Sequence, residues 1–256
     1  MIIGTWNVNS VKSRLEHLVN YLRKNSPDVL LLQELKCQTE AFPFMEIEDL
    51  GYNLAIHGQK TYNGVAILSK YPIEDTVKTL PGDDTDQEAR YIEAVTRGVR
   101  VASVYVPNGQ EPNSDKFQYK LRFFERLQEH LRTLLTYDEK MVIGGDYNVA
   151  PEPIDVFDPK SLDGTTCFHP EERKRFKNIL NLGFTDAFRA TNPHTQKFSW
   201  WDYRAGAWQY NKGMRIDHLL LSPEAADALQ TSDIDSEPRT WDKPSDHTVV
   251  KCEIKC

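Results

Sequence analysis

Two apolar runs in this sequence end abruptly on carboxylates. Asp28-Val-Leu-Leu-Leu-Gln33-Glu34 closes on Glu34, and Met141-Val-Ile-Gly-Gly-Asp146-Tyr-Asn148 closes on Asp146 and Asn148. A third segment, Lys243-Pro-Ser-Asp246-His247, sets an aspartate beside a histidine at the entrance to a final apolar run. Adjacent strand residues point to opposite faces, so Asp246 and His247 share a site only where the backbone turns, and Pro244-Ser245 favours a turn there. Other polar residues fall at run ends in the same way: Asn7, Tyr105 and Asn108 in Tyr105-Val-Pro-Asn108, and Asp217 in Met214-Arg-Ile-Asp217. Each has a bland reading by itself. Glu34 suits a solvated or capping role, Asp246-His247 a turn with a surface histidine, and Tyr105 a core aromatic. Asp146 fits such a reading less well, because the two glycines before it allow close backbone approach. Taken together, oxygen ligands without cysteine select a hard cation such as Mg²⁺ or Mn²⁺. Carboxylate, amide, phenol and imidazole gathered on such an ion suit hydrolysis of a phosphate ester.

The elements that must carry these residues are mostly strands. Apolar runs of strand length fall at 2–8, 29–32, 64–68, 91–95, 99–106, 141–144, 216–221 and 248–254. Helical spacing places Val11, Leu15, Leu18, Val19 and Leu22 on one face, ended by Pro27. A second stripe joins Phe117, Leu121, Phe124, Leu127, Leu131 and Leu134, with Asn113 or Ser114 as its cap. A third, weaker helix runs from Pro170 through Phe176, Ile179 and Leu182 to Gly183. Strands outnumber helices, which predicts a packed pair of mixed sheets with helices outside. The longest irregular stretch, 149–170, reads as an active-site loop.

Composition sets the outer bounds. With 256 residues, 39% hydrophobic and 27% charged, the chain reads as a single domain over residues 1–256 with a sizeable core. No leader and no run of about 18 apolar residues is found, so a soluble, cytoplasmic protein is expected. Cys37, Cys167, Cys252 and Cys256 show no metal or disulfide spacing and read as reduced thiols. The net charge of −7 is unusual for a nucleic-acid enzyme. Screening beyond about 8 Å leaves the local patch more important than the sum, and a bound cation restores part of the deficit.

Leu32-Gln33-Glu34, Gly145-Asp-Tyr-Asn148 and Ser245-Asp-His247 resemble, in order, the signatures of the endonuclease/exonuclease/phosphatase superfamily. Longer strings narrow the likeness: Thr5-Trp-Asn-Val-Asn-Ser10, Gly58-Gln-Lys-Thr-Tyr-Asn-Gly-Val-Ala66, Tyr105-Val-Pro-Asn108, Phe198-Ser-Trp-Trp-Asp-Tyr-Arg204 and Met214-Arg-Ile-Asp217. These are similar to bacterial exonuclease III and the abasic-site endonucleases along essentially the whole chain. The resemblance implies a four-layer α/β sandwich, two packed mixed sheets flanked by helices, with the site at one edge. It implies a monomeric, Mg²⁺-dependent DNA repair hydrolase, with Mn²⁺ as a substitute, that meets duplex DNA bearing abasic sites or damaged 3′ ends in a bacterial nucleoid.

The resemblance also implies roles. Glu34 is the principal metal ligand, with Asn7 and Asp246 nearby, and a second ion at Asp146, Asn148 and His247 is an alternative. Asp146 holds or deprotonates the attacking water, Asn148 orients it, and His247 binds the scissile phosphate with Asp217 behind it. Tyr105 contacts phosphate or the leaving oxygen, and Asn108 orients its neighbours. Lys60, Tyr62, Asn108, Trp200, Met214 and Arg215 are expected at DNA, Trp200 and Met214 as the pocket for an extruded sugar. Lys116, Lys120 and Lys212 add positive potential. The family carries a bulky Trp or Leu where this chain has Met214, which bears on the pocket's shape. Two other readings compete: a phosphatase of lipid headgroups or inositol phosphates, and a catalytically silent DNA- or protein-binding module. The first predicts a membrane-binding loop that the sequence lacks, and the second the loss of a core ligand.

Overall fold

A computed structural model of the protein describes residues 1–255. Cys256, one of the four thiols, lies outside them. The strand Val29–Gln33 divides its apolar residues between two cores. Val29 and Leu31 face one and Leu30 and Leu32 the other, all fully buried. Met141–Asp146 does the same, with Val142 on one side and Met141 and Ile143 on the opposite one. Strands buried on both faces require a sheet covered on both faces.

Two six-stranded sheets result. The first runs Leu229–Asp235, Val249–Ile254, Ile2–Asn7, Val29–Gln33, Val65–Ser69, Asn53–His57. The second runs Ile73–Val77, Tyr91–Thr96, Val99–Tyr105, Met141–Asp146, Asp217–Leu221, Thr185–Asp186. Each holds one parallel pair among antiparallel neighbours: Ile2–Asn7 beside Val29–Gln33, and Val99–Tyr105 beside Met141–Asp146. The sheets meet through Ile3, Val29, Leu31 and Ile67 on one side and Ile92, Val101, Val142 and Leu219 on the other. Helix Leu15–Asn25 covers the first sheet with Leu18, Tyr21 and Leu22. Helices Asp115–Leu134 and Pro170–Leu180 cover the second with Phe124, Leu127, Phe176 and Ile179. This is the four-layer sandwich.

The helix starts show which local signal prevails. Of the two candidate caps, Ser114 is used, its hydroxyl accepting from the Phe117 N–H at 3.1 Å. Pro170 opens its helix behind a His169–Glu172 capping box. The first helix begins at Leu15 rather than Val11, because 11–14 form a turn closed by Arg14 N–H on Ser10 O at 3.2 Å. It has no side-chain cap, so its buried stripe holds it; each such apolar side chain contributes about 1.5–3 kcal/mol relative to exposure. Among the described residues, no helix is long and apolar enough to cross a membrane.

Candidate active site

Strand register gathers the polar run ends at one edge of the sandwich. On three neighbouring strands of the second sheet, Asp146 lies between Tyr105 and Asp217 as their direct partner. In the first sheet Asn7 pairs with Gln33, so Glu34 emerges beside it. The chain leaves both sheets by left-handed turns, with φ of 52° at Glu34 and 50° at Asn148. For residues other than glycine such a conformation costs about 1–3 kcal/mol and persists only where the surroundings impose it. At Asn148 its own N–H donates to Asp146 Oδ1 at 2.9 Å. At Glu34 the carbonyl accepts from Ser10 N–H at 2.8 Å.

The two glycines before Asp146 have separate reasons. A Cβ at Gly145 would lie 1.9 Å from Val104 O on the adjoining parallel strand. One at Gly144 would lie 2.6 Å from side-chain carbons of both Leu31 and Leu219. Gly144 thus lets Leu31 of the first sheet close on the second, and Gly145 lets the strand before Asp146 press against its neighbour.

The turn needed for His247 is built from Ser245, whose Oγ donates to Asn7 O at 2.7 Å and accepts from His247 N–H at 3.2 Å. His247 Nδ1 then lies 2.9 and 3.0 Å from the two oxygens of Asp217, while its Nε2 faces Asp146 Oδ2 at 3.6 Å. Like carboxylates opposite one another repel, and His247 sits between them as a cation. Burial works against its charge, but Asp217 and Asp146 outweigh burial and raise its pKa to about 10. Burial lifts Asp146 to about 7, with His247 opposing and Asp217 adding to the rise. Burial also acts to raise Glu34, yet Lys36, whose Nζ is 2.8 Å from Oε2, and Asn7 hold it below the ordinary range. Tyr105 stays a phenol, pushed up by burial and by Glu34 and Asp146.

Glu34, Tyr105, Asn108, Asp146, Asn148, Asp246, His247, Trp200 and Met214 all line one cavity of about 330 Å³. Among the described residues, Glu34, Asp146 and His247 form a group whose ligand atoms lie within 4.8 Å of one another and could hold a metal ion. Two buried carboxylates sharing one space fit a hard dication, which would offset their repulsion. Nδ1 of His247 is taken up by Asp217, so Nε2 is the ring nitrogen that faces this space.

Several expectations need correction. Asn7 was expected to offer oxygen to the ion, but its Oδ1 accepts from Asn9 N–H at 3.0 Å. Its Nδ2 instead donates to Glu34 at 2.8 Å and Asp146 at 3.0 Å. Asp246, expected near the ion and partly through water, lines the cavity, and its oxygens accept from Asn9 Nδ2 at 2.9 Å and Trp200 Nε1 at 3.1 Å. Arg215 was expected at DNA, yet it is 1% exposed and ion-paired to Asp155 and Asp186, both at 2.7 Å. Its guanidinium ties the 149–170 loop to the second sheet. Lys120 is likewise fully buried, on Glu172. Lys60, Tyr62, Lys116 and Lys212 are exposed. Tyr62 and Lys116 line a groove of about 880 Å³ that shares Glu34, Tyr105 and Asn108 with the cavity.

The pocket wall has a clear construction. Trp200 pairs with Met214 across a short hairpin, and that hairpin bridges Val156 of the loop on one side and His247 on the other. Cys167, Lys36, Asn9 and Arg90 escaped the sequence reading. Cys167 lines the cavity with its Sγ 3.7 Å from Asn148 Oδ1. Lys36 reaches both Glu34 and Asn9 Oδ1, the latter at 2.6 Å. Arg90 lies over the Tyr105 ring at 4.8 Å. Only Lys36 left a usable signal, a cation two residues beyond the strand-end carboxylate.

The profile of the endonuclease/exonuclease/phosphatase family matches residues 4–247. The chain belongs to this family. Exodeoxyribonuclease III of Haemophilus influenzae is 34% identical to it, over 98% of each chain. A zebrafish (Danio rerio) DNA repair nuclease is 31% identical, over 98% of this chain and 81% of its own. Among solved structures of the same fold, a 3′ phosphatase from Neisseria, bound to a product DNA hairpin, superposes with a TM-score of 0.98 at 41% identity over all of both chains. An AP endonuclease from Archaeoglobus fulgidus does so at 0.96 and 38%, again over all of both chains.

Proposed function

We propose that this member of the family is a divalent-metal-dependent hydrolase of DNA phosphodiesters. It incises duplex DNA 5′ to abasic sites, leaving a 3′-hydroxyl, and removes nucleotides and blocking phosphates from 3′ ends. The observation that carries the reading is the convergence of Glu34, Asp146 and His247 on one cavity. The named activities of its relatives support it.

Glu34 and Asp146 would hold the ion, Mg²⁺ by the hardness of their oxygens, with Mn²⁺ acceptable. When bound, the ion supplies positive charge against the phosphate and the departing oxygen. Asp146 orients the attacking water and accepts its proton as the new phosphorus–oxygen bond forms. The Asn148 N–H on Asp146 Oδ1 fixes that carboxyl's rotation. His247 neutralises the scissile phosphate, and Asp217 keeps Nδ1–H committed so that Nε2–H faces the cavity. A second ion at Asp146, Asn148 and His247 is the alternative arrangement, and it would require His247 Nε2 without its proton. Tyr105, as a phenol, donates a proton to phosphate or to the leaving oxygen. Trp200 and Met214 flank the space for a sugar without a base. A sugar carrying its base meets that wall, and extrusion costs least at a damaged position.

The test is a gel assay with two duplexes, one carrying an abasic-site analogue and one a recessed 3′-phosphate, each in Mg²⁺ and in EDTA. Cleavage in Mg²⁺ alone is expected. Intact strands of both duplexes in Mg²⁺ would refute the proposal.

A further inference from the structure

Lys120 projects from helix Asp115–Leu134 into the wall behind the cavity and is fully buried. Its ammonium has three hydrogens and three acceptors: Asn148 O at 2.7 Å, Asn108 O at 3.0 Å and Glu172 Oε1 at 2.5 Å. Glu172 is also fully buried, and its other oxygen accepts from His169 N–H at 3.1 Å, capping the next helix. A buried ion pair is poor value as a stabiliser, since apolar residues of similar volume commonly do as well or better. What apolar residues cannot do is bind two backbone carbonyls.

Those carbonyls belong to the two asparagines at the cavity. Asn148 stands in the left-handed region, with its N–H on Asp146 Oδ1 and its C=O on Lys120. The residue is therefore held at both ends. Asn108 is held by the same ammonium, and its Nδ2 donates to Asn148 Oδ1 at 3.0 Å. We propose that Lys120 is a positioning residue for hydrolysis: it fixes the backbone of Asn108 and Asn148, and through Asn148 the carboxylate of Asp146, with Glu172 as its counter-ion. The inference rests on the hydrolytic reading above for its kinetic consequence, while the underlying contacts are testable without activity.

The test compares Lys120→Met/Glu172→Gln, which removes the ammonium without stranding a charge and keeps an acceptor for His169, with Glu172→Gln alone. On the abasic duplex the double variant loses about 10–100-fold in kcat, as for loss of an orienting partner, with KM within about twofold. Glu172→Gln alone stays within about threefold, because the ammonium still binds both carbonyls. A merely structural ion pair would give equal losses in both Glu172→Gln proteins, and that result overturns the proposal. Should the double variant not fold, nuclear magnetic resonance of the wild-type protein decides. The Lys120 ammonium is expected to be protected from exchange, with scalar couplings to the carbonyl carbons of Asn108 and Asn148. A freely exchanging ammonium without them overturns the proposal, whereas an inactive wild-type enzyme bears on the functional reading instead.

Discussion

Replacing Asp217 by asparagine keeps the volume behind His247 and removes one charge. Asp217 is fully buried and anchored, its Oδ2 accepting from Ser199 Oγ at 2.6 Å. A unit charge pair about 3 Å apart is worth about 5 kcal/mol at an effective dielectric of 20, or about four pKa units. Burial then acts on His247 with Asp146 and, more weakly, Asp246 to oppose it, and the imidazole returns to near its ordinary value of about 6.5. Because the folded pKa was raised, the charged form survives below that value and is lost above it. At pH 7.5 about a tenth of the histidines remain protonated, and with poorer orientation the expected loss in kcat is about 10–100-fold. The assay is single-turnover nicking of an abasic duplex in saturating Mg²⁺ from pH 6 to 8.5. Low pH also protonates Asp146 in both proteins, so the informative quantity is the ratio of Asp217→Asn to wild type. That ratio should climb as pH falls. A ratio flat across the range, or a loss under threefold, would refute the assignment of His247 as an imidazolium held by Asp217.

Glu34→Ala and Asp146→Asn should each cost more than Asp217→Asn, about 10²–10³-fold or beyond in kcat, measured on protein shown to be folded by circular dichroism. Gly145→Ala should fail to accumulate as folded protein, since its Cβ has only 1.9 Å to Val104 O; a normal thermal transition would contradict the packing. Arg215→Met takes the guanidinium from Asp186 and leaves Asp155 with Arg189 alone, and should cost about 3–5 kcal/mol, lowering Tm by about 10 °C. Its affinity for duplex DNA at low temperature should stay within about threefold, whereas a large loss of binding by a stable protein would restore Arg215 to the DNA surface.

The site was legible where local chemistry announced it. Glu34 and Asp146 end runs that can only be buried strands, and Gly144-Gly145 marked a close approach that the Val104 and Leu31 contacts now explain. Apolar runs such as Val29–Gln33 and Met141–Asp146 marked strands, and their excess over helices foretold two packed sheets with helices outside. Edge strands were not legible. Asn53–His57, Ile73–Val77 and Leu229–Asp235 lie at sheet margins, where one neighbour suffices and exposed polar residues are tolerated. Charge was the other failure. Arg215 and Lys120 look like surface cations because their counter-ions are remote in sequence; Asp155 is 60 residues from Arg215 and Glu172 is 52 from Lys120. The same distance effect hid the orientation of Asn7, whose Nδ2 donates to Glu34 and Asp146, 27 and 139 residues away.

The central claim is that water attacks phosphorus at the seam where Asp146 and His247 meet. Cleaving an abasic duplex in ¹⁸O-enriched water with Mg²⁺, followed by mass spectrometry of both fragments, tests it directly. One ¹⁸O in the 5′-phosphate of the downstream fragment and none in the new 3′-hydroxyl is predicted, with both products lost in Asp146→Asn. Strand breakage without isotope in that phosphate would mean that the bond is cut by elimination, and would contradict the account.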